Sequence, residues 1–199
     1  MGTEAVIFDL GGVIVDFSHM AICARLAARC GGSARRVYAD IFESGLEEAY
    51  DRGLSTAEFH RLVMERTGAD MPLGEFRAIW SDIFTENREV SALVEGLKGR
   101  VSLVLLSNTN ELHFEHVRER FPVIGLFDEL VLSYEVGLRK PDAAIFRLAV
   151  ERSGTAAQRC FYVDDNAGYV EAAAALGLDS RLFESAGALA RELARRGLA

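Results

Sequence analysis

Short apolar runs recur along the chain and end abruptly in polar residues. Ala5–Phe8, Val101–Leu106, Glu129–Leu132 and Arg159–Val163 are rich in Val, Leu and Phe without the strict alternation of a half-solvated strand. That pattern predicts buried parallel strands. Ser180–Phe183 is a fifth, less apolar candidate. Between most of these runs, apolar residues recur three or four apart: Val90–Leu97, Leu112–Phe121, Ala143–Ser153, Ala167–Leu176 and Ala186–Arg195. These spacings predict amphipathic helices. Strand alternating with helix predicts an α/β fold, a Rossmann-like parallel sheet flanked by helices.

One interval breaks the alternation. From about Ser18 to Thr85 the pattern is helical only, with stretches at Met20–Arg29, Ala34–Phe42, Thr56–Thr67 and Gly74–Phe84. Gly31-Gly32, Gly53 and Gly68 punctuate it. The expected organisation is an α/β core of residues 1–16 and 86–199, with an inserted all-α cap of residues 17–85 lying over the sheet. Trp80 and Phe84, near the return to the core, are expected to be packing residues.

Composition narrows the classes. Half of the 199 residues are hydrophobic and 26% are charged, which predicts a packed core rather than disorder. A net charge of −8 argues against broad nucleic-acid binding, which needs a basic face. An anionic small molecule remains compatible, because a metal and one lysine reverse the sign locally. No apolar run approaches the ~20 residues of a membrane span. MGTEAVIF lacks the basic flank of a secretory signal, and its sixth residue is not the Ser or Thr of a myristoylation site. Cys23, Cys30 and Cys160 are odd in number and lack metal-type spacing, so they read as buried thiols in a reducing cytoplasm.

The chemistry gathers at one edge of the predicted sheet. In open α/β sheets, ligands bind beyond the carboxyl ends of the strands. Asp9 stands there, as do Ser107-Asn108-Thr109 after the second strand and Asp164-Asp165-Asn166 after the fourth. Lys140, in GLRKPD, follows the third strand by a short loop. Each cluster alone suits a turn or a helix N-cap. Four polar clusters at one edge, in this order, are not what caps and turns predict.

D-x-x-G after an apolar strand, then hhhSN, then K-P, then hhhDD, resembles the haloacid dehalogenase-like hydrolase superfamily. The likeness spans essentially the whole chain, and the insertion is similar to that superfamily's helical cap. GLEEAYDRGLS, residues 45–55, is similar to the cap segment of its sugar-phosphate phosphatases. The D-L-G at Asp9 is similar to the α-glucose-1-phosphate phosphatase branch. The resemblance implies a phosphatase acting on a small-molecule phosphomonoester, such as a hexose 1-phosphate, through an aspartyl-phosphate formed on Asp9. It implies Mg²⁺ bound by Asp9, Asp165 and the Gly11 carbonyl, with Asp164 direct or through water. Ser107, the Asn108 amide and Lys140 would hold the phosphate, with Ser107 and Lys140 catalytic beside Asp9. No nucleic-acid or membrane partner is implied, and the expected state is a monomer or weak homodimer. Cap residues would read the rest of the substrate, with Phe17, Glu43, Glu47, Tyr50 and Arg52 as candidates. Opening and closing of the cap is expected through linkers near Asp16 and Thr85.

Gly11 departs from the wider family pattern, in which a second Asp two residues after the nucleophile protonates the leaving group and activates water. Such a group contributes about 10²–10⁴-fold. Its loss predicts a preference for leaving groups that need little protonation, such as an anomeric hydroxyl, and slow dephosphorylation with a burst of product. Asp16 and His19 are candidate substitutes. His113 and His116, three apart on a helix, form a candidate metal pair, although solvated histidines are the simpler reading. The alternatives are a 2-haloacid dehalogenase, a mutase and a non-catalytic binding protein on the same fold. The intact Asp164-Asp165 pair opposes the dehalogenase, the missing acid opposes the mutase, and the costly charge cluster opposes a mere scaffold.

Overall fold

The structure is a computed structural model and describes residues 2–198. Its centre is a five-stranded parallel sheet whose strands lie in the spatial order Glu129–Leu132, Ser102–Ser107, Ala5–Phe8, Cys160–Asp164 and Asp179–Leu182. The strands are β1 (Ala5–Phe8), β4 (Ser102–Ser107), β5 (Glu129–Leu132), β6 (Cys160–Asp164) and β7 (Asp179–Leu182). Every residue of β1 is fully buried, because neighbouring strands and helices enclose it on all sides. Val6 and Phe8 pack into one apolar layer with Leu103, Leu105, Phe161 and Val163. Ala5 and Ile7 enter the opposite layer with Val104, Leu106 and Tyr162. The period-two alternation therefore feeds two cores, one on each face, and each buried large side chain contributes roughly 1.5–3 kcal/mol.

Helices α6 (Arg88–Leu97), α7 (Glu111–Arg120) and α11 (Ala186–Arg195) cover the first layer. Helices α9 (Ala143–Ser153) and α10 (Ala167–Ala174) cover the second. A one-turn helix, α8 (Ser133–Val136), follows β5 directly. β4, β6 and β7 begin one residue away from their sequence-predicted starts. The shift at β6 makes Asp164 the last strand residue rather than the first of the loop.

The interval after β1 is helical as expected. It holds α1 (His19–Cys30), α2 (Ala34–Tyr38), a π turn (Ala39–Glu43), α3 (Leu46–Asp51), α4 (Thr56–Thr67) and α5 (Leu73–Ser81). The single helix expected over Ala34–Phe42 is thus broken into α2 and the π turn, and α3 lies inside GLEEAYDRGLS. These helices build an apolar cluster of their own, centred on stacked Tyr50, Phe59, Phe76 and Trp80. The chain enters and leaves the interval through two short strands, β2 (Val15–Asp16) and β3 (Thr85–Glu86). They pair antiparallel, Val15 with Glu86 and Asp16 with Thr85.

None of the described helices is long and apolar enough to cross a membrane. Cys23 and Cys160 are buried thiols, whereas Cys30 is only partly buried, so the expectation of three buried thiols is corrected there.

Candidate active site

Register brings the first acidic group into place. Phe8 lies beside Val163, so Asp9 and Asp164 are level at the strand ends, and the Asp9 N–H donates to the Val163 carbonyl at 3.0 Å. Asp9 Oδ1 accepts the Leu10 N–H at 2.7 Å. Lys140 Nζ sits between the two carboxylates, 2.8 Å from Asp9 Oδ1 and 2.6 Å from Asp164 Oδ2. The lysine is 1% exposed, so its charge depends on these partners. Burial alone would push the ammonium down, but Asp9 and Asp164 outweigh it and hold it above its ordinary value. Burial pushes Asp9 up to about 7, against the opposing pull of Lys140. Asp164 also accepts the Tyr162 hydroxyl and, at 2.8 Å, the Asn166 N–H. Burial and the neighbouring Asp164 raise Asp165.

Ligand oxygens of Asp9, Asp164 and Asp165 all lie within 4.8 Å of one another. It is the one such cluster of three or more His, Cys, Asp or Glu among the described residues. Gly12 makes the approach of Asp165 feasible. Its φ is +71°, and a Cβ there would fall 2.0 Å from Asp165 Oδ2. Gly12→Ala is therefore expected to displace Asp165 and to cost roughly 1–2 kcal/mol in backbone conformation alone. Titration with Mg²⁺ and thermal unfolding check both effects; an unchanged affinity would separate Asp165 from the cation.

Ser107 is buried beside the cluster, and its Oγ makes only a 3.4 Å bond to the Asn108 carbonyl. Asn108 also lines the cavity over the cluster. Its side-chain amide is committed to the backbone of Lys140, donating to the carbonyl at 3.0 Å and accepting the N–H at 2.8 Å. It fixes the lysine loop at the edge of the cavity. Tyr169 adds to this support, with the Lys140 Nζ 5.0 Å from its ring centre. Asn110 and Asn166 cap α7 and α10, so the cap reading of these polar runs holds beside the functional one.

A cavity of about 300 Å³ opens over the cluster. Its floor carries Asp9, Gly11, Ser107, Lys140 and Asp165, and its roof carries Phe17, His19, Glu47, Asp51 and Phe84. Phe17 and Glu47 thus stand where the sequence places them. Tyr50 does not: it is 1% exposed, stacks on Phe59, and its hydroxyl is bonded to Thr56 at 2.7 Å. Glu43 pairs with Arg35, and Arg52 pairs with Glu48 and Asp142, away from the cavity. Trp80 is a packing residue as expected, and Phe84 packs against the sheet-side core while also lining the cavity. Asp16 lies exposed on β2 and does not line it.

The paired histidines do not meet as a metal site. His113 is buried, with Nε2 3.0 Å from the Trp80 carbonyl and Nδ1 3.2 Å from the Asn110 amide. It is therefore not solvated either. Burial lowers it to about 3 and lowers His19 to about 4, so both are neutral at pH 7. The unfolded chain takes up a proton on His113 below its ordinary value of 6.5, and the folded chain does not until about 3. Stability is thus expected to fall as pH drops through that window, by up to about 1.4 kcal/mol per pH unit from this group. Urea unfolding of wild type and His113→Gln from pH 7 to 4 checks it; parallel pH dependences would contradict it.

Several cavity residues escaped the sequence reading. Arg139, next to Lys140, and Asp51, within GLEEAYDRGLS, both line it. Their Nη2–Oδ2 distance is 3.5 Å. The R-K-P run and the acidic character of the segment were the available signals.

Residues 3–177 match the haloacid dehalogenase-like hydrolases. The chain belongs to that family. Among its relatives is a D-ribitol-5-phosphate phosphatase of Bacteroides thetaiotaomicron, 27% identical, covering 88% of this chain and 89% of the relative. Another is a phosphorylated carbohydrates phosphatase of Thermotoga maritima, 28% identical, covering 88% and 82%. In structure the family chain resembles a haloacid dehalogenase family enzyme of Bacteroides thetaiotaomicron in complex with magnesium and inorganic phosphate. That likeness has a TM-score of 0.82 at 23% identity, over 92% of this chain and 95% of the other. An L-2-haloacid dehalogenase of Xanthobacter autotrophicus is also similar, with a TM-score of 0.66 at 18% identity, over 99% and 84%. At these identities the structures speak for the shared fold.

Proposed function

We propose that this family member is a Mg²⁺-dependent phosphatase of a small phosphomonoester, with a sugar-like phosphate as substrate. One observation carries the reading: a buried lysine bridges two carboxylates, with a third beside them, at the floor of a single cavity. Fully ionised, three carboxylates against one ammonium carry a net charge of −2, which repels a phosphate. A divalent cation cancels it. The hard oxygen donors of Asp9, Asp164 and Asp165, with the Gly11 carbonyl, suit Mg²⁺, and the Gly12 cradle gives Asp165 its room. Bound there, Mg²⁺ supplies positive charge against the phosphate oxygens.

The residues then divide the work. A carboxylate oxygen of Asp9 attacks phosphorus and forms the aspartyl-phosphate, which water hydrolyses. Lys140 holds a phosphate oxygen from a position fixed by Asp164, Asn108 and Tyr169. The Ser107 hydroxyl holds another. Residues 17–85 act as a cap whose two linkers meet at the β2–β3 pair. Its Phe17, Glu47 and Asp51 face the part of the substrate beyond the phosphate. The phosphatase relatives support this chemistry.

The test is a substrate panel that pairs α-glucose 1-phosphate with glucose 6-phosphate, run beside a chloride assay on 2-chloropropionate. Phosphate release from sugar phosphates without chloride release is the expected result. Chloride without phosphate would replace the reading with the dehalogenase.

A further inference from the structure

Proton transfer is the step that this site leaves unassigned. An alcohol leaves phosphorus poorly as an alkoxide, and Gly11 offers no side chain to protonate it. The space over Gly11 is also taken: a Cβ there would lie 2.7 Å from the ring of Phe17. Asp16 is exposed on β2 and does not line the cavity. His19 faces the cavity but is neutral at pH 7 and has no acidic proton to give. His113 is held by Trp80 and Asn110.

We propose that Glu47, in the roof of the cavity, donates the proton to the departing alcohol and so replaces the acid missing at Gly11. The proposal rests on the phosphatase reading above. Glu47 lies on α3 and lines the same cavity as Asp9, and its side chain is 15% exposed. Its ion-pair partner is Arg139, at a long 4.0 Å. That single guanidinium is shared among three carboxylates, standing 3.5 Å from Asp51 and 3.7 Å from Glu48. The other two have further support. Asp51 accepts the Asn110 amide at 3.1 Å, and Glu48 is half exposed and pairs with Arg52 at 3.3 Å. Charges on neighbouring elements are engaged away from Glu47: Glu43 of the π turn pairs with Arg35, and Glu135 of α8 takes the Tyr134 hydroxyl. Glu47 is therefore the carboxyl with the least compensation, and neutralising it by a proton costs least. Burial, reinforced by Asp51, moves it up to about 8. A carboxylic acid that keeps its proton at neutral pH, in the cavity that holds the nucleophile, is what an alkoxide leaving group needs.

The step balances. As the Asp9 oxygen bonds to phosphorus, the bond from phosphorus to the ester oxygen breaks and its electron pair stays on that oxygen. The Glu47 proton passes to it, giving a free alcohol, the aspartyl-phosphate and a Glu47 carboxylate. In the second half, water bonds to phosphorus from the vacated side and loses its proton to Glu47. Asp9 leaves as a carboxylate and the acid is restored. A donor at Glu47 widens the leaving groups from anomeric hydroxyls to ordinary alcohols. It also provides the base whose absence predicted a burst.

The experiment compares Glu47→Gln with wild type on two substrates, in Mg²⁺ buffer. 4-Nitrophenyl phosphate has a leaving group that needs no proton, and glycerol 1-phosphate has one that does. The kcat/KM for glycerol 1-phosphate is expected to fall about 100-fold or more, while that for the nitrophenyl ester stays within about threefold. The wild-type loss of glycerol 1-phosphate kcat/KM above about pH 8 should vanish in the variant. A nitrophenolate burst should appear in Glu47→Gln as the second half loses its base. Glu58→Gln, on α4 and paired with Arg61 at the surface, should leave both substrates unchanged. Equal losses on both esters, or no loss on either, would overturn the proposal. Failure of wild type to hydrolyse the nitrophenyl ester would instead overturn the phosphatase reading itself.

Discussion

Asp9→Asn is expected to lower phosphate release by about 10⁴-fold or more, with the fold intact. The amide has nearly the shape of the carboxylate, and its oxygen can still accept the Leu10 N–H. What it lacks is a nucleophilic oxygen and a charge. The lysine keeps Asp164 at 2.6 Å, so one ammonium then faces one strongly held carboxylate. The buried charge count is not worsened, and thermal unfolding in EDTA should move little. Activity loss without unfolding would thus locate the defect in chemistry. Retention of more than about a tenth of the activity would remove Asp9 from the nucleophile's place.

Lys140→Met is expected to produce the largest loss of stability. The methionine matches the stem of the lysine but removes the charge that separates Asp9 from Asp164. Two buried carboxylates would then face each other without a counter-ion. Breaking a buried pair by removing one partner costs about 3–5 kcal/mol. For a chain of this size, each kcal/mol corresponds to roughly 2–4 °C, so the midpoint in EDTA should fall by about 6–20 °C. Mg²⁺ should restore part of it and should stabilise the variant more than wild type, because the cation then supplies the only positive charge at the cluster. A shift below about 2 °C would mean that the lysine is not the electrostatic centre of the site.

The parts of the fold with a repeating pattern were legible in the sequence. Full burial of β1 shows as an unbroken apolar run, and the helices around the sheet show a clear three-to-four spacing. The strand ends then fixed Asp9, Ser107 and Asp164 at one edge, because a parallel sheet aligns them there. Elements too short to carry a period were not legible: β2 and β3 have two residues each, and α3 has six. On α3 the sequence could not show which side faces inward. Tyr50 turned into the helical core and Asp51 to the cavity, because the aromatic ring gains more from stacking on Phe59 and packing near Trp80 than from water. The partner of Asn108 was hidden for a related reason. Its neighbours in sequence are phosphate-binding candidates, but its amide partner, the Lys140 backbone, lies 32 residues away. Contacts of that range depend on the assembled sheet edge, and no local pattern encodes them.

The central claim is that the carboxylate cluster at the sheet edge works with a divalent cation on a phosphate ester. Its most direct test is phosphate release from 4-nitrophenyl phosphate by wild-type protein, first in EDTA and then after Mg²⁺ is added back. The account predicts no release in EDTA and full release on restoration. Equal release in EDTA and in Mg²⁺ would contradict it.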